Sequence, residues 1–516
     1  MYGQHTLVTG LWPTKKMTKI FLVFEPCCHS SGRKKARKPE EGDTMLIGET
    51  LPFIHDFVDE LDQGLQQLKS DAGLTLGQKA WLGRCLQGIV VTNSICWVRM
   101  ERASLGRYSD GMLSWHFRRP GEYWEWLLQV SVGVILKSYG MKAGMLVVDD
   151  TDRPRSKCTR QIYQVHAFKD KASGGTRKGQ CLVVLVLVTP TVTLPVGVEF
   201  YMPDPAITAW AKQERALKRG GVPKDARPAK PDRDPAYPTK QALAFMVLKR
   251  FQAAFSWMRI RAVLADALYG TPTFLDATSA LFGGVQVVSQ LRKNQKVRFK
   301  TQEWSVETYF QKFPGTPLSI RLRGGVEQMT TVGSARLRVM AHQTKRFVMA
   351  MKYEGEDAYR YLVATDLSWR TEDIVQTHTV RWLIEVFFQD WKAYEGWGQM
   401  AKQPGEDGSR RSLILSLLCD HCLLRHPDQL ARIERKQPAY TVGSLCEAVK
   451  VESLMQCLWQ VVSSEHPQEQ FQQVAAHAKA VFAPRESGKH MVGRDLGRVE
   501  ATPSLVYRAQ IALKTA

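Results

Sequence analysis

The chain has no apolar run long enough to cross a membrane. The densest, Leu182 to Val188, is broken at once by Thr189 and Pro190, far short of the ~20 residues a spanning helix needs. The apolar stretch Ile20 to Phe24 is likewise too short for a signal-peptide core. There is no cysteine framework: the 10 cysteines are scattered and read as reduced thiols of a cytosolic protein. Cys419 and Cys422 form a CxxC, but inside the apolar, helix-like run Leu413–Leu424 and with no second CxxC facing them, so core packing is expected rather than zinc or redox chemistry. Acidic residues are in short supply. Against 71 Lys+Arg there are 50 Asp+Glu, a formal net charge of +21, which calls for polyanionic company: nucleic acid first, an anionic membrane surface second. With 44% hydrophobic and 23% charged residues, wholesale disorder is excluded. No internal repeat is present.

What is present fills 516 residues, roughly three domains at ~150 residues each. Residues 1–44 hold eight Lys/Arg, including Arg33, Lys34, Lys35, Arg37 and Lys38, and little periodic hydrophobicity. They read as a basic, disordered leader, with Met45 as a candidate start. Residues 45–140 read as a helical, DNA-binding domain: Phe57, Leu61, Leu65 and Leu68 recur at helical steps, and Arg99, Arg102, Arg107, Arg118 and Arg119 are available for phosphates. At Met145 the period changes to that of strands. Residues 141–299 alternate strand and helix, with a proline-rich loop expected over 212–240, and residues 300–371 are β-patterned and turn-rich. Helix resumes over 372–430 and continues through 431–516, the last thirty or so residues looking loose.

Two carboxylates sit where strands are expected to end. Asp150 follows Met145–Val148 and Asp266 follows Ala262–Ala265. A sheet edge holds such groups rigidly and exposes them, as a hard-metal site requires, although strand-end Asp is also a common turn former. Asp149 is adjacent to Asp150, and because successive strand residues face opposite ways only one of the two should be a ligand. Farther on the chain reads His378-x2-Arg381-x3-Glu385-x6-Lys392. On one helix from about Glu372 to Lys392, at ~100° per residue, these side chains fall within about 60° of one another. Val380, Leu383, Ile384, Phe387 and Trp391 gather opposite. A charged stripe of this kind is also the usual form of a solvated face.

The last pattern resembles the Tyr-x2-Arg-x3-Glu-x6-Lys signature of DDE transposases of insertion-sequence family four, with His378 in place of the tyrosine. Asp150-Thr151 after a strand and the strand-borne Asp266 are similar to that family's first two acidic residues, and the Asp-Thr pairing favours Asp150. The separations, 116 from Asp150 to Asp266 and 119 from Asp266 to Glu385, leave room for the β-rich insertion that such enzymes carry. The resemblance spans about 145–395. It implies an α/β fold: a ribonuclease-H-like mixed sheet interrupted by the insertion at 300–371, with helical regions at both ends. It implies that Asp150, Asp266 and Glu385 bind two Mg²⁺ ions, for which Mn²⁺ can substitute, and that Arg381 and Lys392 grip phosphates, with His378 against the DNA.

The basic residues Arg153, Arg155 and Lys157 after the first Asp, and Arg292 and Lys293 after the strand that follows the second, are expected to line the DNA path. The function implied is cut-and-paste transposition. Such an enzyme binds the terminal inverted repeats of its element as double-stranded DNA, cleaves the ends and joins them to target DNA, as a homodimer in a synaptic complex in the bacterial cytoplasm, without a membrane. Two alternatives stand beside it: a ribonuclease-H-like nuclease that cleaves without joining, and a domesticated transposase that only binds DNA.

Overall fold

The first helix among the described residues is opened by a proline. In the computed structural model, which describes residues 49–483 except 120, 122, 156–159, 171–173, 322–325 and 400–402, together with Tyr507, α1 (Pro52–Leu68) buries Phe53, Phe57, Leu61 and Leu65 at four-residue steps. The leader 1–44, Met45 and Lys157 lie outside the described residues. Thr75 and Gln78 cap each other's backbone at the start of α2 (Leu76–Thr92), satisfying two amides that a helix end leaves unpaired. Helices α3 (Trp97–Ala103), α4 (Asp110–Arg118) and α5 (Tyr123–Ser138) follow. They do not form a separate body. Their apolar residues belong to one continuous core that runs on through the sheet to Val449.

The sheet begins with β1 (Ala143–Pro154), β2 (His166–Lys169), β3 (Thr176–Val188) and β4 (Thr193–Tyr201). Strands β1, β3 and β4 form an antiparallel meander, whose β3 reads as an unbroken Val/Leu run because it is buried on both faces. Helix α6 (Pro205–Arg219) comes next, capped by the Asp204 carboxylate. The loop expected from 212 therefore starts later, near Val222: proline is concentrated only from Pro223 onward, and the earlier stretch keeps its helical pairing. Helix α7 (Lys240–Ala254), β5 (Arg259–Ala265), α8 (Pro272–Leu281) and β6 (Gln286–Leu291) complete an α/β unit in which β5 runs parallel to both β1 and β6. The order β4-β3-β1-β5-β6, antiparallel then parallel, is similar to the ribonuclease-H-like sheet that the resemblance implies.

The strands β7 (Lys296–Phe299), β8 (Gln302–Ser305), β9 (Thr316–Arg321), β10 (Glu327–Val339), β11 (Thr344–Tyr353) and β12 (Arg360–Ala364) follow, with α9 (Val306–Lys312) among them. Strand β12 pairs antiparallel with β6, and β11 and β10 continue beyond it, so that one 12-stranded sheet results.

The helix expected over 372–392 is two helices, α10 (Thr371–Thr379) and α11 (Trp382–Ala393). Between them the amides of Val380, Arg381, Leu383 and Ile384 reach back three residues rather than four, a tightened turn that interrupts the α ladder. The remaining helices are α12 (Gly405–Leu424), α13 (Pro427–Glu434), α14 (Val442–Val462) and α15 (Pro467–Val481). Cys419 and Cys422 are buried free thiols in α12. No helix among the described residues is long and apolar enough to cross a membrane.

Candidate active site

Strand β1 does not end at Val148. It continues to Pro154, held by β3 throughout, whereas its pairing with β5 stops at Val148–Ala265. Beyond that point the β5-side edge of β1 is open. The register also decides which way each side chain points. Val148 pairs with Leu185, and Leu185 with Gly197, where a Cβ would run into Val247 of α7. The side of β1 bearing Leu146, Val148, Asp150 and Asp152 therefore faces α7. Val147, Asp149 and Thr151 face the other way.

On that other face lies Asp149. Since Val148 and Ala265 are side by side in parallel strands, Asp149 and Asp266 are neighbours one residue farther on. Asp149 is buried, and its Oδ2 accepts a hydrogen bond from Arg381 Nη1 at 2.8 Å. Burial pushes its pKa up to about 7; Arg381 pulls it back and the carboxylates of Asp266 and Asp150 raise it further. Asp266 is half-buried and precedes a short turn, Ala267–Tyr269. Its carbonyl accepts the Ser289 hydroxyl of β6 at 2.8 Å, which ties the end of β5 to its neighbour.

Glu385 lies in the first turn of α11, one helical turn after Arg381 and two before Lys392. Arg381 is bonded to Asp149. Burial lowers the pKa of Lys392, opposed by the carboxylates of Asp152 and Glu385. The helix thus meets β1 through Arg381 and Lys392, and Glu385 lies between the two along α11. Tyr269 adds a buried hydroxyl without a hydrogen-bond partner among the described residues, its pKa raised by burial first and then by Asp150 and Asp149.

Asp150 is elsewhere. Its Oδ2 accepts from Lys240 Nζ of α7 at 2.6 Å and lies 3.9 Å from Cys181 Sγ. Asp150, Asp152 and Cys181 have ligand atoms within 4.8 Å of one another, and Lys240 pairs with Asp150, one of the two carboxylates. Of the two adjacent carboxylates, Asp149 is the one bonded to Arg381 and raised by Asp266, whereas Asp150 is bonded to Lys240. The sequence could not choose, because both residues follow the same apolar run and only the β1–β5 and β3–β4 registers separate the faces.

Other expected residues divide similarly. His378 is not on an exposed stripe. It is buried at the end of α10, its Nε2 3.5 Å from Gln290 Nε2 of β6, and burial, then Arg381 and Arg360, drive its pKa down to about 3. Arg155 is buried too, donating to Gln180 at 3.0 Å and lying over the Trp397 ring; Arg153 is half-buried. Arg292 and Lys293 are exposed just beyond β6. Because β5 and β6 are parallel, these two cations emerge at the same sheet edge as Asp266, about 10 Å along the strand direction from Ser289. Lys240 was not singled out by the sequence; only its pairing with Asp150 reveals it.

Residues 124–348 match a family model described as DDE superfamily endonuclease. That stretch is similar to the DDE endonucleases. It contains Asp149 and Asp266 and stops short of Glu385. No curated protein matches the sequence. Among solved structures, a piggyBac transposase determined as a synaptic complex with hairpin DNA is similar at 10% identity and a TM-score of 0.39, over 86% of this chain and 85% of that one.

Proposed function

We propose that this chain is a DDE transposase, with Asp149, Asp266 and Glu385 as its metal-binding carboxylates. The observation that supports the reading is the adjacency of Asp149 and Asp266 at the ends of β1 and β5, with Arg381, at the start of the helix that carries Glu385, bonded to Asp149. Three carboxylates are a hard-oxygen donor set suited to Mg²⁺ or Mn²⁺. Arg381 already serves as a stand-in cation at Asp149, and the Tyr269 hydroxyl, without a partner among the described residues, borders Asp150, Asp149 and Asp266, so the residues fit such a group. When bound, a pair of divalent ions supplies an activated nucleophile and neutralises the leaving oxygen of an in-line phosphoryl displacement.

The chain's own residues do the rest. Asp149 is held by its burial on β1 and by the Asp150 amide, which donates to its Oδ1 at 2.8 Å, so it presents one fixed oxygen to the edge. Arg381 is the nearest cation to that oxygen and can engage a phosphate through a planar, two-pronged contact. Lys392 and the exposed pair Arg292 and Lys293 extend the positive edge on either side, which suits a duplex passing across the C-terminal ends of β1, β5 and β6. The substrates in this reading are the terminal inverted repeats of the chain's own element, of the insertion-sequence type that the sequence resembles, and a target duplex. Two ends held together require at least two copies.

The experiment is cleavage of DNA carrying the sequences that flank the gene. Asp149→Asn, Asp266→Asn and Glu385→Gln should each lower cleavage by orders of magnitude while binding to end DNA survives, and Asp150→Asn should keep cleavage. A dead Asp150→Asn with an active Asp149→Asn would return the role to Asp150. Joining of a pre-cut end to a plasmid separates transposase from simple nuclease: cleavage without joining would leave only the nuclease.

A further inference from the structure

A short turn, residues 266–270, carries Asp266 beyond the end of β5 at Ala265. Within it Tyr269 N donates to the Asp266 carbonyl at 2.9 Å and Gly270 N to that of Ala267 at 3.3 Å. Three alternate carbonyls of the turn also accept from side chains outside it, each on a different part of the fold. Ser289 Oγ of β6 donates to Asp266 at 2.8 Å. Gln241 Nε2 of α7 donates to Leu268 at 2.6 Å. The third, Gly270, is 3.1 Å from His342 Nε2. Gly270 also lies so near β6 that a Cβ there would meet the Gln290 carbonyl oxygen at 2.5 Å. The turn is thus pinned from three directions.

His342 comes from farthest along the chain, in the 3₁₀ turn Met340–His342 that joins β10 to β11. Its ring is buried and its tautomer is fixed by its neighbour. Arg346 Nε donates to Nδ1 at 3.3 Å, so the ring proton sits on Nε2 and is donated to the Gly270 carbonyl. Arg346 is held in turn: it is 4% exposed, and its Nη2 donates to both carboxylate oxygens of Asp276 in α8, at 2.6 and 2.7 Å. Burial first, then the Arg346 charge, lowers the His342 pKa below the ordinary histidine value, so the neutral ring that this relay needs is the form present at physiological pH. Burying an imidazole and a guanidinium costs free energy that an apolar pair would not. What the two supply is a fixed Gly270 carbonyl, and chains of buried hydrogen bonds of this kind are what orient metal-binding side chains.

We propose that His342, oriented by Arg346 and Asp276, is a positioning residue that fixes the direction in which Asp266 leaves β5. The proposal rests on the reading of Asp266 as a metal-binding carboxylate, and it gives the β-rich stretch 300–371, which holds none of the three carboxylates, a part in the site. The test joins hydrogen–deuterium exchange without DNA to cleavage of end DNA in Mg²⁺, for the full chain and its His342→Asn, His342→Gln and Asp276→Ala variants. Asparagine keeps an acceptor for Arg346 but is too short to reach Gly270, whereas the glutamine amide offers both the acceptor and the donor. In His342→Asn the Tyr269 and Gly270 amides should exchange at least about 10-fold faster, with those of residues 263–265 unchanged. Cleavage should fall about 10–100-fold while affinity for end DNA stays within about twofold. His342→Gln should recover most of both losses. Asp276→Ala, at a side chain 58% exposed, frees Arg346 and should speed the same two amides. Exchange at the parent's rate in His342→Asn, or in Asp276→Ala should the asparagine variant not fold, overturns the proposal. So does parental cleavage by His342→Asn beside an inactive Asp266→Asn, or a glutamine variant as slow as the asparagine one. If Asp266→Asn itself cleaves, the reading of the site fails instead, and the exchange rates still decide whether His342 holds the turn.

Discussion

At position 378 the family pattern asks for an aromatic group against DNA, and the packing puts an imidazole in the core instead. His378 is 7% exposed and its Nδ1 has no partner among the described residues. With its pKa driven down to about 3 by burial and by Arg381 and Arg360, it is neutral at physiological pH and cannot offer a charged hydrogen bond to a phosphate. The linkage has a definite sign. An unfolded histidine titrates near 6.5, so the folded state keeps its full stability above that pH and loses it as pH falls towards 3. The slope is at most about 1.4 kcal/mol per pH unit. His378→Leu should therefore flatten the fall in melting temperature between pH 6.5 and 4.5 and leave binding to end DNA at pH 7.5 unchanged. A loss of DNA affinity in that variant would put the imidazole back at the DNA. The same scale explains the Asp149/Asp150 choice: two adjacent carboxylates of identical type differ only in which face of β1 they occupy.

Among the elements, β1 decides the site. Its continuation to Pro154 under β3 carries Asp149 past the point where β5 stops, so the carboxylate is fixed by a strand on one side and open on the other. Strand β4 positions α7 from below. Gly197 has no side chain because Val247 occupies that space, and α7 in turn brings Lys240 to Asp150. Gly197→Ala should cost about 1–3 kcal/mol by overpacking this contact, read as a lower melting temperature. It should weaken the Asp150 pair before it touches Asp149, which rests on the opposite face. An alanine variant as stable as the parent would mean that α7 can shift away without cost. The interruption at Val380–Arg381 matters equally: it lets α10 bury His378 while α11 keeps Arg381, Glu385 and Lys392 along β1.

At the scale of the whole molecule, one sheet and one core join parts that the sequence suggested were separate. Strand β12 lies between β6 and β11, so residues 300–371 are built into the sheet that carries Asp266. Helices α1–α5 pack into the same core, with the Ser131 hydroxyl of α5 2.5 Å from His421 Nδ1 of α12. Unfolding should therefore be concerted for these parts: far-UV circular dichroism and tryptophan fluorescence should give superimposable melting curves. An early transition belonging to residues 300–371 alone would show them to be an independent module.

The sequence by itself determined the element types, because buried strands and amphipathic helices leave periodic patterns that need no knowledge of their neighbours. It also brought out Asp266, Glu385, Arg381 and Lys392, whose spacing lies within single elements or at their ends. The tertiary structure alone assigned Asp149 and Asp150 to opposite faces of β1, since strand polarity alternates at every residue and only pairing with β5 and packing of α7 identify the faces. It alone buried His378 and Arg155, because exposure depends on what packs across from a residue, and that lies far away along the chain. And it alone joined the β-rich stretch to the sheet that carries Asp266: a strand's sequence records that it pairs, while the identity of its partner is set by register and closure of the whole sheet.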